Sequence, residues 1–152
     1  MNPDSGASIP NFEEIKNFTG PVQARNFEIF RELLDKNHML DQAHDFFRAS
    51  GALTAIEYKD VIEAQLRTYL KGGFQLLSLN DFTGQGYAPV GILDPFWNTK
   101  GLITPEKWRE FCAPTVALLR FDKRALYNDE VFEGKAEIYN YGPTLLKNAK
   151  IN

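Results

Sequence analysis

The feature that most constrains this chain is a short apolar run between two pairs of chain breakers. Residues 74–79 read Phe-Gln-Leu-Leu-Ser-Leu, with Gly72-Gly73 before them and Asn80-Asp81 after them. An apolar run of this length between breakers is typical of a strand buried on both faces, as in a parallel sheet. The run therefore predicts a central strand of an α/β fold.

Helices are predicted on the N-terminal side of this strand. Apolar residues recur at helical spacing over about residues 22–36, 40–49 and 54–70. Asn37 suits the end of the first helix, and Ser50-Gly51 suits the end of the second. Helices followed by a strand are the order of elements in a βα repeat.

The C-terminal part of the sequence changes in character. Thr104-Pro105-Glu106 has the composition of a helix start, and the helix is expected to reach about residue 112. Residues 115–121 predict a short strand or an extended connector, and residues 130–141 and 145–151 predict two further strands. A sheet of two strands needs a partner surface, so this end is expected to open an all-β domain.

Polar and aromatic side chains follow the predicted central strand. Asn80, Asp81, Gln85 and Trp97 lie on the side of its carboxyl end, where parallel α/β folds place their ligand sites. Sugars combine apolar C–H faces with hydroxyl groups, and aromatic rings with amides and carboxylates complement both. These four residues are therefore the candidate substrate-binding residues.

Composition alone favours a structural role for the same stretch. In that interpretation Asn80 and Asp81 cap loop backbone, while Phe82, Phe96 and Trp97 pack in the core.

Other site chemistries are not favoured by the spacing. Gly84 and Gly86 lack the third glycine, at position 89, that a dinucleotide fingerprint requires. His38 and His44 are six residues apart and Cys112 is remote, so no zinc-binding spacing occurs. We predict no metal and no other cofactor.

Charge and hydropathy exclude several classes of partner. The net charge is −3 without a basic block, which does not favour nucleic acid or an anionic membrane surface. No apolar run approaches the ~20 residues of a membrane span. Residues 1–10 lack the basic region and apolar core of a signal peptide and are expected to form a polar leader.

Two segments carry a resemblance to a known family. Gly73-Phe-Gln-Leu-Leu-Ser-Leu-Asn-Asp-Phe82 resembles the eighth strand of the (β/α)8 barrel of glycoside hydrolase family 2, the β-galactosidase, β-glucuronidase and β-mannosidase group. Gly91-Ile-Leu-Asp-Pro-Phe-Trp-Asn-Thr-Lys-Gly101 resembles the loop and helix entry that follow it. Weaker similarity covers residues 10–16 and 26–30 before the strand, and residues 128–130 and 137–142, which resemble the start of the next β-sandwich.

The resemblance implies retaining hydrolysis of O-glycosidic bonds. That chemistry uses two carboxyl groups ~5–5.5 Å apart, which the family supplies as glutamates after the fourth and seventh barrel strands. The chain is expected to begin just after the seventh strand, and neither Glu13 nor Glu14 matches a catalytic motif. No catalytic residue is assigned. Intact family members are often periplasmic or secreted, and this chain leaves its compartment open.

The expected organisation follows from that resemblance. Residues 1–10 are a leader, residues 11–120 are the C-terminal part of a TIM-barrel-like domain, and residues 121–152 open a β-sandwich. Such a fragment is expected to contribute residues near a carbohydrate substrate, to be inactive alone, and to associate with the remainder of the barrel or with itself. Two alternatives remain, a stand-alone carbohydrate-binding or interaction module without catalysis and an unrelated small α/β enzyme.

Overall fold

The computed structural model describes residues 10–68, 72–82 and 88–150. The chain divides into two compact units. The first comprises residues 1–58 and 75–104, and the second comprises residues 59–74 and 105–152. Helices and strands both occur, which confirms the predicted mixture of helix and strand.

The first unit begins with a 3₁₀ helix, Phe12–Asn17, and the helix α1, Arg25–Lys36. The side-chain oxygen of Asn11 caps the 3₁₀ helix by accepting a hydrogen bond from the Glu13 amide at 3.2 Å. The predicted end of α1 at Asn37 is confirmed, but the left-handed residue is His38, with φ of 56°. A small core joins these helices, formed by Ala24, Phe27, Phe12, Ile15 and Phe18.

One continuous helix, α2, spans Ala43–Leu66, so the break predicted at Ser50-Gly51 is wrong. Within the helix, Ser50 donates its hydroxyl hydrogen to the Phe46 carbonyl at 2.6 Å, as serine side chains often do at helical positions. Gly51 serves packing, because a Cβ at this position would lie 2.2 Å from Cδ2 of Leu102. Glycine at this position leaves room for the Leu102 side chain, and the helix continues through it.

Residues 74–79 form no strand in the structure, so the predicted central strand is wrong for the chain as it stands. A strand exists only when another segment pairs with it, and in the described residues backbone pairing reaches only the last residue of this run, where the Leu79 carbonyl accepts from the amides of Ile92 and Leu93 at 3.1 and 3.2 Å. The Leu93 bond belongs to the isolated parallel bridge Asn80↔Leu93. Leu77, within the unpaired run, leaves 63% of its surface exposed.

The second unit contains the short helix α3, Pro105–Arg109, and the strands β1, Thr115–Arg120, and β2, Lys135–Asn140. The strands pair antiparallel, from Thr115↔Asn140 to Arg120↔Lys135. The predictions at 115–121 and 130–141 are thus confirmed in shortened form, and α3 is shorter than expected. The strand predicted at 145–151 is wrong over its described residues, 145–150, which form none.

The predicted domain boundary after residue 120 falls between these two paired strands and stays a prediction. Two side chains of β1, Val116 and Leu118, are buried. Across the strands, the Arg120 guanidinium contacts both oxygens of Glu137 at 3.0 Å.

Large apolar side chains are exposed on both units. The helices of the first unit expose Phe30 and Leu33 on α1 and Leu53 and Ile56 on α2. In the described part of the chain, no helix combines the length and apolar character needed to cross a bilayer.

Candidate functional site

A buried ion pair organises the loop that carries the predicted site. Asp81 and Lys100 have side chains that are 1% and 3% exposed, and the Lys100 ammonium lies 2.7 Å from each carboxylate oxygen of Asp81. The same ammonium donates to the Gly91 carbonyl at 2.9 Å, and the Gly91 amide donates to Asp81 Oδ1 at 2.8 Å. Three separate points of the sequence are thereby joined.

Gly91 must be a glycine because the loop returns across the backbone of Asn80. A Cβ at Gly91 would lie 2.3 Å from the Asn80 carbonyl carbon and 2.5 Å from the Asp81 amide nitrogen. Backbone atoms at that distance leave no room for a side chain. The close approach is what allows the Asp81 carboxylate to reach the Gly91 amide.

Tyr58 anchors the same loop from α2. Its hydroxyl lies 2.9 Å from the carbonyl oxygens of Ser78 and Val90, one on each side of the loop. Burial raises the pKa of Tyr58 to about 12, and the negative charge of Asp81 adds to this effect. The phenol is therefore held in its neutral, donating form.

Asp94 builds the turn at the far end of the loop. Its Oδ1 accepts hydrogen bonds from the amides of Phe96 and Asn98, both at 2.8 Å, and its Oδ2 accepts from the Asn98 side-chain amide at 3.0 Å. A carboxylate that bonds the backbone two residues on forms an Asx turn. Asp94 itself is buried.

Trp97 lies at the tip of this turn. It is 65% exposed and has a φ of 67°, a left-handed conformation that bulky residues seldom adopt. Phe96, beside it, contacts the edge of Phe18 with ring centroids 5.2 Å apart. The turn thus holds a large aromatic ring in solvent at a cost in backbone strain.

The structure separates the predicted binding residues. Asp81 is buried in the ion pair, and Asn80, half-buried, donates its side-chain amide to the Asp81 carbonyl at 3.1 Å. Trp97 is exposed, and Gln85 lies outside the described residues. Asp81 therefore has the capping role of the structural alternative.

The other half of that alternative is wrong. Phe82, Phe96 and Trp97 are not core residues, because 52%, 42% and 65% of their respective surfaces are exposed.

The sequence analysis did not single out three residues that organise this loop. Asp94 precedes a proline, a pattern that favours turns and that offered a usable signal. Tyr58 bonds to the Ser78 carbonyl, 20 residues away, and Lys100 bonds to Asp81, 19 residues away. Local sequence patterns do not reveal contacts over such separations.

The accessible chemistry of this loop is that of an aromatic surface. Both oxygens of Asp81 face an ammonium group, so they are not free to bind a ligand without opening the loop. Among the described residues, no group of three or more His, Cys, Asp and Glu side chains could hold a metal ion. Of the predicted site residues that the structure describes, Trp97 is the most exposed.

No protein-family model matches the chain, and no curated protein is significantly similar to it.

Proposed function

We propose that this chain is the C-terminal part of the catalytic barrel of a family-2-like glycoside hydrolase, with the start of the following β-sandwich. In this proposal it contributes a sugar-contacting surface to the intact enzyme and lacks the catalytic glutamate pair. The substrate class is a glycoside. The partner is the remainder of the barrel.

The observation that carries the proposal is the exposed, left-handed Trp97 at the tip of a hydrogen-bonded turn. An exposed, strained tryptophan is costly unless it has a partner, and its turn is fixed by Asp94 and by the Asp81–Lys100 pair. An indole face complements the apolar face of a pyranose ring. The resemblance of residues 91–101 to a barrel loop favours a sugar over other flat ligands.

The unpaired run at residues 74–79 supports the barrel part of the proposal. A barrel strand has hydrogen-bonded neighbours on both sides, whereas in the described residues this run is bonded to a neighbouring segment only at its end, through the Leu79 carbonyl. Exposed Leu77 is what a barrel strand without its neighbours would present. Parallel strands on either side would complete the pairing that begins at Asn80↔Leu93.

A stand-alone carbohydrate-binding module is the second candidate. It is favoured by the same exposed Trp97, which needs no additional chain in order to stack on a sugar. The two candidates differ in whether the apolar surface of the isolated chain associates.

Tryptophan fluorescence tests the sugar-contacting surface. The chain has two tryptophans, so Trp108→Phe leaves Trp97 as the single reporter. Galactose, mannose or glucuronate is expected to change its emission saturably. Trp97→Phe, with Trp108 retained, is the matched control and is expected to show no such change.

Two results would contradict the proposal. Unchanged Trp97 emission with all three sugars would remove the sugar-contacting surface. Hydrolysis of p-nitrophenyl β-galactoside, β-mannoside or β-glucuronide by the isolated chain would show that a catalytic pair is present.

A further inference from the structure

The second unit contains a cleft that the proposed function does not use. It has a volume of about 430 Å³, and its lining comes from the C-terminal part of α2, from β1 and β2, and from the segment after β1. Clefts that hold small molecules have volumes of about 300–1,000 Å³ and combine apolar walls with a few polar groups. Half of the described lining residues are apolar and half are charged.

The apolar walls come mainly from the strands and from the segment after β1. Leu119 and Ala136, which are paired across the two strands, both line the cleft. Phe121 is held against Phe132, with ring centroids 5.8 Å apart, and the Arg124 guanidinium lies 5.9 Å from the Phe121 centroid. An apolar group in the cleft would therefore lie beside positive charge.

The charged lining residues carry an excess of positive charge. Lys59, Arg67 and Arg124 are cations, whereas Asp60 and Glu63 are the two anions among the described lining residues. The whole chain has a net charge of −3, so the sign is reversed locally. A cleft lined by an excess of one charge attracts ligands of the opposite charge.

Arg67 keeps part of its hydrogen-bonding capacity. Its side chain is 18% exposed, and its Nη1 donates to Glu63 Oε2 at 3.2 Å and to the Leu119 carbonyl at 3.4 Å. The Nε and Nη2 groups of Arg67 donate to none of the described residues. Together they form the edge of a guanidinium that matches the two oxygens of a carboxylate.

Lys59 carries the excess charge. Its ammonium lies 3.7 Å from Glu63 Oε1, which is longer than a hydrogen bond, and Glu63 is already held by Arg67. Arg124 lies 2.9 Å from Asp60, so that pair is closed. The Lys59 side chain is half-exposed, and its donors remain available to an anion in the cleft.

We propose that this cleft binds a small monocarboxylate with a compact apolar body. The carboxylate bonds to the Nε and Nη2 edge of Arg67, and its charge is balanced by Lys59. The apolar body packs against Leu119, Phe121 and Ala136. One carboxylate brings the charges of the cleft to three positive and three negative, which neither a neutral ligand nor a dianion achieves.

Amide-resolved NMR titration of the whole chain tests this inference, with benzoate as the probe. Benzoate is expected to shift the amides of Leu119, Phe121 and Ala136 saturably, with a dissociation constant on the order of 1 mM. Benzyl alcohol has the ring without the charge, and inorganic phosphate has charge without the ring. Each is expected to bind there at least about tenfold more weakly than benzoate.

Arg67→Lys is the test variant, because it keeps a cation beside Glu63 and removes the guanidinium edge. It is expected to weaken benzoate binding about fivefold to tenfold. Arg109→Lys makes the same change in an exposed pair with Glu106, in the same unit but outside the cleft. This control is expected to bind benzoate like the original chain.

Lys59→Gln tests the charge excess separately. The lysine makes no hydrogen bond to the described residues, so the variant is expected to keep the fold, which thermal melts check. Its affinity for benzoate is expected to fall about threefold to fivefold, with a larger effect at low ionic strength than at high. This variant keeps the inference testable if Arg67→Lys unfolds the chain.

The inference is overturned if benzoate at about 50 mM shifts none of the three amides, or if benzyl alcohol binds there as tightly as benzoate. It is also overturned if Arg67→Lys or Lys59→Gln folds and binds like the original chain. It stands apart from the proposed function. Loss of benzoate binding with Trp97 emission still responding to sugar would remove only the cleft, and the reverse pattern would remove only the Trp97 surface.

Discussion

Lys100 Nζ lies 2.7 Å from both carboxylate oxygens of Asp81, and the two side chains are almost fully buried. Because Gly91 bonds to both partners through its amide and carbonyl groups, this pair closes the loop that ends in Trp97. Removing one partner would leave the other as an unpaired buried charge, which is the costly case for an ion pair.

The first prediction concerns the loss of one partner of this ion pair compared with the loss of both. Lys100→Met is expected to lower the free energy of unfolding by about 3–5 kcal/mol, measured by urea denaturation at fixed protein concentration. Asp81→Asn combined with Lys100→Met is expected to cost less than the sum of the single changes, because no charge is then left unpaired.

The matched control is Lys107→Met, which removes a lysine from an exposed pair with Glu110. Its effect is expected to stay within about 0.5 kcal/mol. Equal effects at Lys100 and Lys107 would show that the Asp81 pair does not hold the loop.

The second prediction concerns the close approach of two backbone segments. Gly91→Ala is expected to destabilise the chain by more than about 2 kcal/mol, because the added methyl group would overlap the Asn80 backbone. Gly20→Ala is the control, since a Cβ there meets no atom within 4 Å. Thermal melts in which both variants match the original chain would contradict the loop geometry.

The third prediction concerns pH and Tyr58. Its pKa is raised from 10.0 to about 12 by burial and by Asp81, so the folded chain holds this proton more tightly than the unfolded chain does. The resulting stability is fully present below pH 10 and is lost as the pH rises from 10 toward 12.

Tyr58→Phe removes this contribution together with the hydroxyl bonds to Ser78 and Val90. The variant is expected to be about 1–3 kcal/mol less stable at pH 7 and to lose less stability than the original chain between pH 10 and 12. Parallel urea melts across that range make the comparison. If the stability of the two proteins depended on pH in the same way, the raised pKa of Tyr58 would be contradicted.

The fourth prediction separates the ring of Trp97 from its backbone. Trp97→Ala and Trp97→Gly both remove the exposed ring, but only glycine adopts a φ of 67° without strain. The glycine variant is therefore expected to be about 1 kcal/mol more stable than the alanine variant. An alanine variant as stable as the glycine variant would mean that the turn is not strained.

Local patterning predicted α1 and the two strands because their signals lie within a few residues. The spacing of Phe27, Phe30 and Leu33 indicated a helix whatever packed against it. Gly51 was misread as a stop because its reason for being glycine is Leu102, which is 51 residues away in sequence. The apolar run at residues 74–79 has the composition of a strand, but in the described residues only Leu79 bonds to a neighbouring segment. The composition of the run does not show whether a partner is present.

As with the fold, part of the candidate site could be predicted from the sequence. Chain position after the apolar run pointed to Asp81 and Trp97, and both prove central to the loop. Their different roles depend on Lys100, which buries one of them, and the sequence around Lys100 carries no mark of that contact. Composition identified the right stretch, and long-range pairing decided which side chain reaches solvent.

The proposed function makes the exposed apolar surface of this chain an interface with further barrel strands. Sedimentation equilibrium at several concentrations, beside thermal melts of the same samples, tests it most directly. We expect a molar mass above the 17.3 kDa of the single chain that rises with concentration. A constant 17.3 kDa with one cooperative, concentration-independent melt would contradict the claim and favour a self-sufficient module.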